Sequence, residues 1–446
     1  MPDGRRPVAE VLCDPATAHV YEHGWQSRSP AGRYPVTAGS PRPRLAAELV
    51  AGFRPGRPGP AAGFQGEGLL ALESEPGGPA RLWAAATPAV HVPSIRAQPG
   101  NRVPGRLRLL VSADGDVDEL AGPSLAAVLA AWADRAGATA GVAATPSLVP
   151  GWCARCAYGS GELTGTALAA ELAAMDRLGL AVGVVVLDAA RVAAGLAEPV
   201  LAAGRRAGAR LAPTLVPLDG RVARGNPGWL VAGADPGPGL GVLDVTHPGA
   251  AAWLRELVAG VRAAGADHLV MDELYASALP GRRHADAAPL AAYRECLRLV
   301  AEAAGPGCTL VAAAAPLLPS IGLVHAMATA PEPVAGAWPG GAAALAGSLA
   351  TARARAWQHG RLWAAAPGCL ATAGAAPGER VAWVRHLATG GGLASSGDRL
   401  GHLDRGAAWL TRLALRPSSP APVPWEPAAP AGATLPAPSG LAARLA

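Results

Sequence analysis

The sequence predicts an α/β protein: a (β/α)8 TIM-type barrel behind a small N-terminal β-sandwich-like domain. Three observations lead there. Up to about Pro123 the 446-residue chain is rich in Pro, Gly and Arg, with short alternating stretches that read as strands between turns. From Pro146 the texture changes to branched apolar runs alternating with helical periodicity. That alternation recurs roughly eight times over about 250 residues, the size and rhythm of a barrel. A doubly wound open sheet is the alternative, because the same alternation builds both.

In chain order, the pieces 68–73 and 107–112 alternate as brief strands, and 41–60 reads as a loop. A helix is predicted over 124–136, with Leu125, Val128 and Trp132 on one face. The barrel then opens with a strand near 148–153. A helix over 164–178 places Leu168, Leu172 and Met175 at helical spacing. The branched run 181–187 is a buried strand ending at Asp188. Segment 200–207 precedes a strand at 209–213. A strand at 241–245 precedes a helix at 250–263, and one at 268–271 precedes a helix at 289–303. Strands at 308–313 and 323–328, a helix at 342–357, a strand at 362–365 and a helix at 379–388 close the series. A last helix at 405–415 leads into a tail. The divisions are therefore an N-terminal β domain over 1–123, a barrel over 124–416, and a Pro/Ala-rich tail over 417–446 that is expected to be irregular or disordered.

Composition excludes several chemistries. All 38 basic side chains are arginine. Without lysine there is no Walker-type phosphate loop, no pyridoxal phosphate linkage and no Schiff base. The net charge of +5 is small for this length, and the arginines are dispersed, so no nucleic-acid partner is expected. Two arginines near the N-terminus have no apolar run behind them, unlike a signal peptide, and no run of about 18 apolar residues exists to cross a membrane. Six irregularly spaced cysteines do not form a disulfide framework, which predicts a reduced, cytoplasmic protein. Cys153 and Cys156 form a single CxxC with no second pair and no histidine at zinc-finger spacing. Two half-buried thiols at a strand end, and no metal, are the expectation.

Residues at the carboxyl ends of barrel strands point into the active-site mouth. The predicted ends carry Asp188, Asp244 and Asp272, with Asp267 just before the fifth strand. A charge straight after an apolar strand is costly unless it faces a polar pocket or caps a helix. Three in one barrel, with Trp152 and Trp363 on other strand ends, suit a sugar pocket: acceptors for hydroxyls and flat faces for the ring. Two carboxyls are also what glycoside cleavage uses.

With those residues in view the sequence resembles the α-galactosidase/melibiase-like glycoside hydrolases, the retaining clan that includes raffinose and stachyose synthases. Residues 19–35, HVYEHGWQSRSPAGRYP, are similar to that family's GWQSWSP segment. Residues 150–153 (PGWC), Leu187-Asp188, 243–248 (LDVTHP) and 268–284 (HLVMDELYASALPGRRH) follow in the family's order. Ala314 with Pro316, Leu317 and Gly322, Leu362-Trp363 with Cys369, and 390–398 continue it, so the resemblance covers roughly 18–416.

The resemblance implies that Asp272 is the nucleophile. It implies that Glu332, in the stretch 327–338 (MATAPEPVAGAW), is the acid/base. It places Trp152, Cys153, Asp188, Asp244, Arg282 and Trp338 among the substrate-binding residues. The implied substrate is a small oligosaccharide or α-galactoside, with no cofactor, and relatives often form homo-oligomers. The chain also departs from the family pattern. Asp188-Ala189-Ala190 stands for Asp-Asp-Gly, Val270 for a lysine two residues before the nucleophile, Ala328 for an arginine, and Ala366-Pro367-Gly368 for Asp-Pro-Asp. An active α-glycosidase is the first reading. A homologue that binds carbohydrate without turnover, or a transglycosylase, is the alternative.

Overall fold

The computed structural model describes residues 4–39, 53–142, 148–159, 163–331, 342–370 and 377–425. Two antiparallel sheets form the N-terminal part. One runs Arg6–Cys13, Arg106–Ala113, Ser94–Val103, Phe64–Glu67; the other runs Gly32–Pro35, His19–Glu22, Leu69–Glu73, Ala80–Ala85, Val117–Gly122. Side chains alternate across a strand, and both faces of the second sheet are covered. Leu70, Leu72 and Trp83 meet Phe64, Ile95 and Leu109 of the first sheet in a sandwich core. Leu69, Ala71, Leu82 and Ala84 point the other way, into the core shared with the barrel. Every residue of Leu69–Glu73 is therefore buried.

Eight parallel strands close the barrel: Gly151–Cys153, Val184–Asp188, Arg206–Leu211, Ala266–Met271, Thr309–Ala312, Ala326–Ala328, Ala364–Ala366 and Ser395–Ser396. The first seven pair in sequence order, and the eighth, flanked on its other side by Cys369–Leu370, pairs with the first through Gly151–Ser395 and Trp152–Ser396. Leu393 N–H donates to Ala365 O at 2.7 Å, joining the seventh strand to the eighth. This sequential closed order is a barrel and not an open doubly wound sheet.

Two predicted elements need correction. Segment 241–245 is not a barrel strand. Leu240–Val242 pairs antiparallel with Leu215–Pro217, forming a hairpin beyond the third strand. The true eighth strand is Ser395–Ser396, two polar residues with no hydrophobic signal to reveal them. The helices stand close to their predicted places. Ser124 caps Leu125–Ala140 and Thr164 caps Gly165–Arg177, each side chain accepting a backbone N–H of the first turn. Part of the predicted loop 41–60 and the tail beyond 425 lie outside the described residues. Residues 417–425 carry no helix or strand, and Trp425 donates its indole N–H to Arg353 O at 2.7 Å.

Candidate active site

Strand parity decides which side chains can reach the mouth. Trp152, Val185, Leu187, Ala207, Ala209, Leu211, Leu269 and Met271 pack outward into the core beneath the helices. Their neighbours point inward, so the inner strand ends carry Cys153, Asp188, Arg210 and Asp272 on strands one to four. The inner ends of strands six and seven carry Ala328 and Ala366.

Asp272 follows the fourth strand directly, and its N–H donates to Leu211 O at 2.8 Å. Its Oδ2 accepts from Arg210 Nε at 2.9 Å and Nη2 at 2.5 Å. Its Oδ1 accepts from Glu273 N–H at 2.9 Å and lies 3.5 Å from Arg28 Nη2. Burial pushes this carboxyl up, but Arg210, Arg28 and the Glu273 N–H outweigh it and hold Asp272 below the ordinary aspartate value. Asp272 is thus a half-buried, ionised carboxylate.

Arg28 comes from the sandwich, and a dedicated device carries it to the mouth. The guanidinium of Arg355 is fully buried and donates to four carbonyls: Ser27 O at 2.8 Å, Thr329 O at 2.9 Å, Gln26 O at 3.2 Å and Ser29 O at 2.7 Å. Ser27 N–H donates to Ala315 O at 3.1 Å, and Ala315 N–H returns to Ser27 Oγ at 2.9 Å. Gly24 is required here, because a Cβ would stand 2.3 Å from Ser29 Cβ and 2.5 Å from Pro30 O. So tethered, Arg28 grips Glu273 with Nη1 to Oε2 at 2.8 Å and Nη2 to Oε1 at 2.5 Å.

Among the described residues the non-glycine positions with positive φ are Glu273 (53°) and Ala314 (44°), at the ends of adjacent strands four and five. Such conformations cost about 1–2 kcal/mol each and cluster where a site over-determines the backbone. Tyr275 N–H donates to Ala314 O at 2.7 Å, linking the two turns.

Three thiols meet beside this group. Cys153 ends the first strand, Cys156 lies in the short helix Ala154–Tyr158, and Cys369 lies in the two-residue strand beside the eighth. Their sulfurs all lie within 4.8 Å of one another, with Cys156 Sγ 3.0 Å from Cys369 Sγ. Hydrogen bonds with Cys156 and Cys369 hold the Cys153 thiol well below its usual range, and those with Cys153 and Cys156 push the Cys369 thiol well above it. Arg210 Nη1 lies 3.6 Å from Cys153 Sγ, so one guanidinium joins the thiols to Asp272.

Of the residues singled out from sequence, the structure brings Asp272, Asp188 and Cys153 to the mouth. Asp188 lies opposite Arg210 in strand register and 3.6 Å from Arg191 Nη1. Others stand elsewhere. Trp152 faces outward, wholly buried, its indole N–H given to Asp398 O at 2.8 Å, so it offers no face to a sugar. Trp363 precedes the seventh strand and is buried in the same core. Asp267 lies at the opposite end of the fourth strand, bound by Arg206 Nε at 3.0 Å. Asp244 follows the hairpin, and its carboxylate is taken by Thr246 N–H at 3.0 Å, Thr246 Oγ1 at 2.7 Å and His284 N–H at 2.5 Å. It staples two loops. The Arg282 side chain is exposed, its backbone bridged to Ala232. Glu332 and Trp338 lie outside the described residues.

Sequence reasoning missed Arg28, Glu273, Arg210 and the convergence of Cys369 with the CxxC. A signal for Arg28 existed, since it replaces the second tryptophan of GWQSWSP. Arg210 stands next to the end of an Ala/Gly strand that also begins with a charge, Arg206.

A closed barrel with an ionised carboxylate after its fourth strand, backed by a β-sandwich, has the fold of the α-galactosidase type of glycoside hydrolase. The chain matches TtGalA, an α-galactosidase from Thermus thermophilus solved with p-nitrophenyl α-D-galactopyranoside, with TM-score 0.69 and 24% identity over 92% of this chain and 89% of that one. The same enzyme with stachyose matches with TM-score 0.68 and 23% identity, over 94% of this chain and 95% of that one. The GH36 α-galactosidase AgaA from Geobacillus stearothermophilus matches with TM-score 0.57 and 11% identity over 91% of this chain, which spans 61% of AgaA. No protein-family model matches the chain. The likeness is one of fold, and the resemblance carried by the motifs extends to it. Among the described residues no helix is long and apolar enough to cross a membrane.

Proposed function

We propose that this protein is a retaining α-glycosidase acting on α-galactosides or closely related α-glycosides. The observation that carries the reading is Asp272: a half-buried carboxylate, held ionised by two arginines, at the inner end of the fourth strand of an α-galactosidase-type barrel. In the proposed reaction an Asp272 carboxylate oxygen bonds to the anomeric carbon as the glycosidic C–O bond breaks, and Glu332 gives its proton to the leaving oxygen. A water deprotonated by Glu332 then displaces Asp272, so the configuration is retained. A sugar hydroxyl as acceptor would make the same chain a transglycosylase.

The missing lysine has a physical substitute. Val270 and Arg210 are register partners on strands four and three, so the cation absent from the fourth strand is supplied by its neighbour. The rest of the floor has become apolar in concert. Val270 and Ala366, both in place of charged residues of the family pattern, pack in one cluster with Val311, Ala326 and Ala364. That side of the pocket therefore offers fewer partners to sugar hydroxyls. This favours an α-glycoside less hydroxyl-dependent than galactose at that side. It also favours the second reading, binding without turnover, because Arg210 and Arg28 engage the carboxylate that must attack.

Initial rates on a panel of aryl α-glycosides, for the wild type beside Asp272→Asn, test the proposal. Turnover lost by at least about 10⁴-fold in the variant supports it. No turnover by the wild type on any sugar, with glycoside binding retained, hands the site to the second reading.

A further inference from the structure

We propose that Cys153, Cys156 and Cys369 form a tris-thiolate site for one zinc ion at the barrel mouth. The inference is independent of the glycosidase reading. Three separate elements deliver one sulfur each to a common point: the end of the first strand, the helix that follows it, and the strand beside the eighth. Thiolates bind zinc at about 2.3 Å in tetrahedral geometry, which sets their sulfurs about 3.8 Å apart. Cys156 Sγ lies 3.0 Å from Cys369 Sγ, and all three sulfurs lie within 4.8 Å of one another, close to that value. Small side-chain rotations suffice to reach it.

The surroundings are built for this approach. Gly397 sits against the cluster, where a Cβ would stand 2.5 Å from Cys156 Cβ and 3.1 Å from Cys369 Cβ. Its N–H is anchored on Leu370 O at 2.7 Å, fixing the strand that carries Cys369. Three thiolates around a divalent cation leave one net negative charge, and the Arg210 guanidinium 3.6 Å from Cys153 Sγ supplies the counter-charge. Among the described residues no fourth His, Cys, Asp or Glu joins the three. A zinc site with three protein ligands keeps a position for water or a substrate oxygen. Cys153 is at an inner strand end, so that position belongs to the mouth where Asp272 also stands.

The test is cobalt titration of the reduced, metal-stripped full chain, followed by zinc competition. The expected result is one Co²⁺ per chain with a thiolate-to-cobalt charge-transfer band of tris-thiolate intensity, abolished by one equivalent of Zn²⁺. Cys156→Ser and Cys369→Ser should each weaken binding by more than about 100-fold, and Gly397→Ala by about 10–100-fold, as for a residue supporting the ligands. Should a variant fail to fold, Zn²⁺ protection of Cys153, Cys156 and Cys369 from alkylation in the wild type gives the same answer. The proposal is overturned if the reduced protein shows no charge-transfer band. Metal binding that survives both serine variants, or alkylation of the three cysteines unaffected by Zn²⁺, overturns it equally.

Discussion

At the scale of single residues the site is governed by how two arginines share one carboxylate. Asp272 stays ionised although burial opposes it, because Arg210 and Arg28 flank it. Activity that needs the anion should therefore persist to acid pH, with the acidic limb of kcat/KM below the ordinary aspartate range. The sign follows directly: removing a cation leaves burial dominant, raises the Asp272 value and moves the limb to higher pH. Arg210→Gln should show this strongly. Arg28→Gln should show it less, since its nitrogen lies 3.5 Å from the carboxylate against 2.5 Å for Arg210. pH–rate profiles of the three proteins check both the direction and the order, and an unmoved limb in Arg210→Gln would remove Asp272 from the ionisation that matters. The same linkage bears on stability. A depressed carboxyl stabilises the fold above its unfolded value, and that contribution is lost as pH falls through the folded one. Arg210→Gln should accordingly flatten the acid side of the stability curve.

Secondary-structure elements were legible where a one-face pattern existed and illegible where geometry alone made them. The run 181–187 announced a buried strand, and Leu168, Leu172 and Met175 announced a helix that Thr164 caps. Ser395–Ser396 announced nothing, yet it closes the barrel. Asp244 was misread because a charge after an apolar stretch looks the same whether it faces a pocket or staples two loops. Trp152 and Asp272 show the limit of reading strand ends without parity: both stand within a residue of a strand end, but one faces the helices and the other the mouth. The segment 24–29 was recognisable as a motif, while its purpose needed Arg355, more than three hundred residues away. Leaving buried carbonyls without their donor costs about 1–3 kcal/mol. Arg355→Met should therefore lower denaturant stability by that amount and release Arg28 from the mouth, lowering kcat/KM as well. Denaturant midpoints beside rates measure the two effects separately. Burial draws Arg355 down only to about 10, so it is charged through the neutral range.

At the scale of the whole molecule, sandwich and barrel share one core. Tyr21, Trp25, Leu69 and Leu82 pack in the same cluster as Trp132, Leu168, Leu269 and Trp363. Tyr21 OH donates to Ala354 O at 3.1 Å and accepts from Trp357 Nε1 at 3.0 Å, so polar contacts cross the same boundary. Calorimetry should show a single unfolding transition, and a chain lacking 1–123 should expose the inner face of Leu69–Glu73's partners and fail to give that transition. Two resolved transitions would mean the halves are energetically separate. The fold class was readable from rhythm because a barrel repeats its signal. The site was only partly readable, because it is assembled from the sandwich, strands one, three and four, and residues near the chain's far end, whose proximity no local pattern records. The account's central claim is that Asp272 attacks the anomeric carbon. Intact-mass spectrometry after incubation with a 2-deoxy-2-fluoro-glycosyl fluoride measures that most directly. The account predicts a mass increase of one fluorosugar, located on the Asp272 peptide and absent from Asp272→Asn; a glycosylated Asp272→Asn, or label on a different carboxylate, would contradict it.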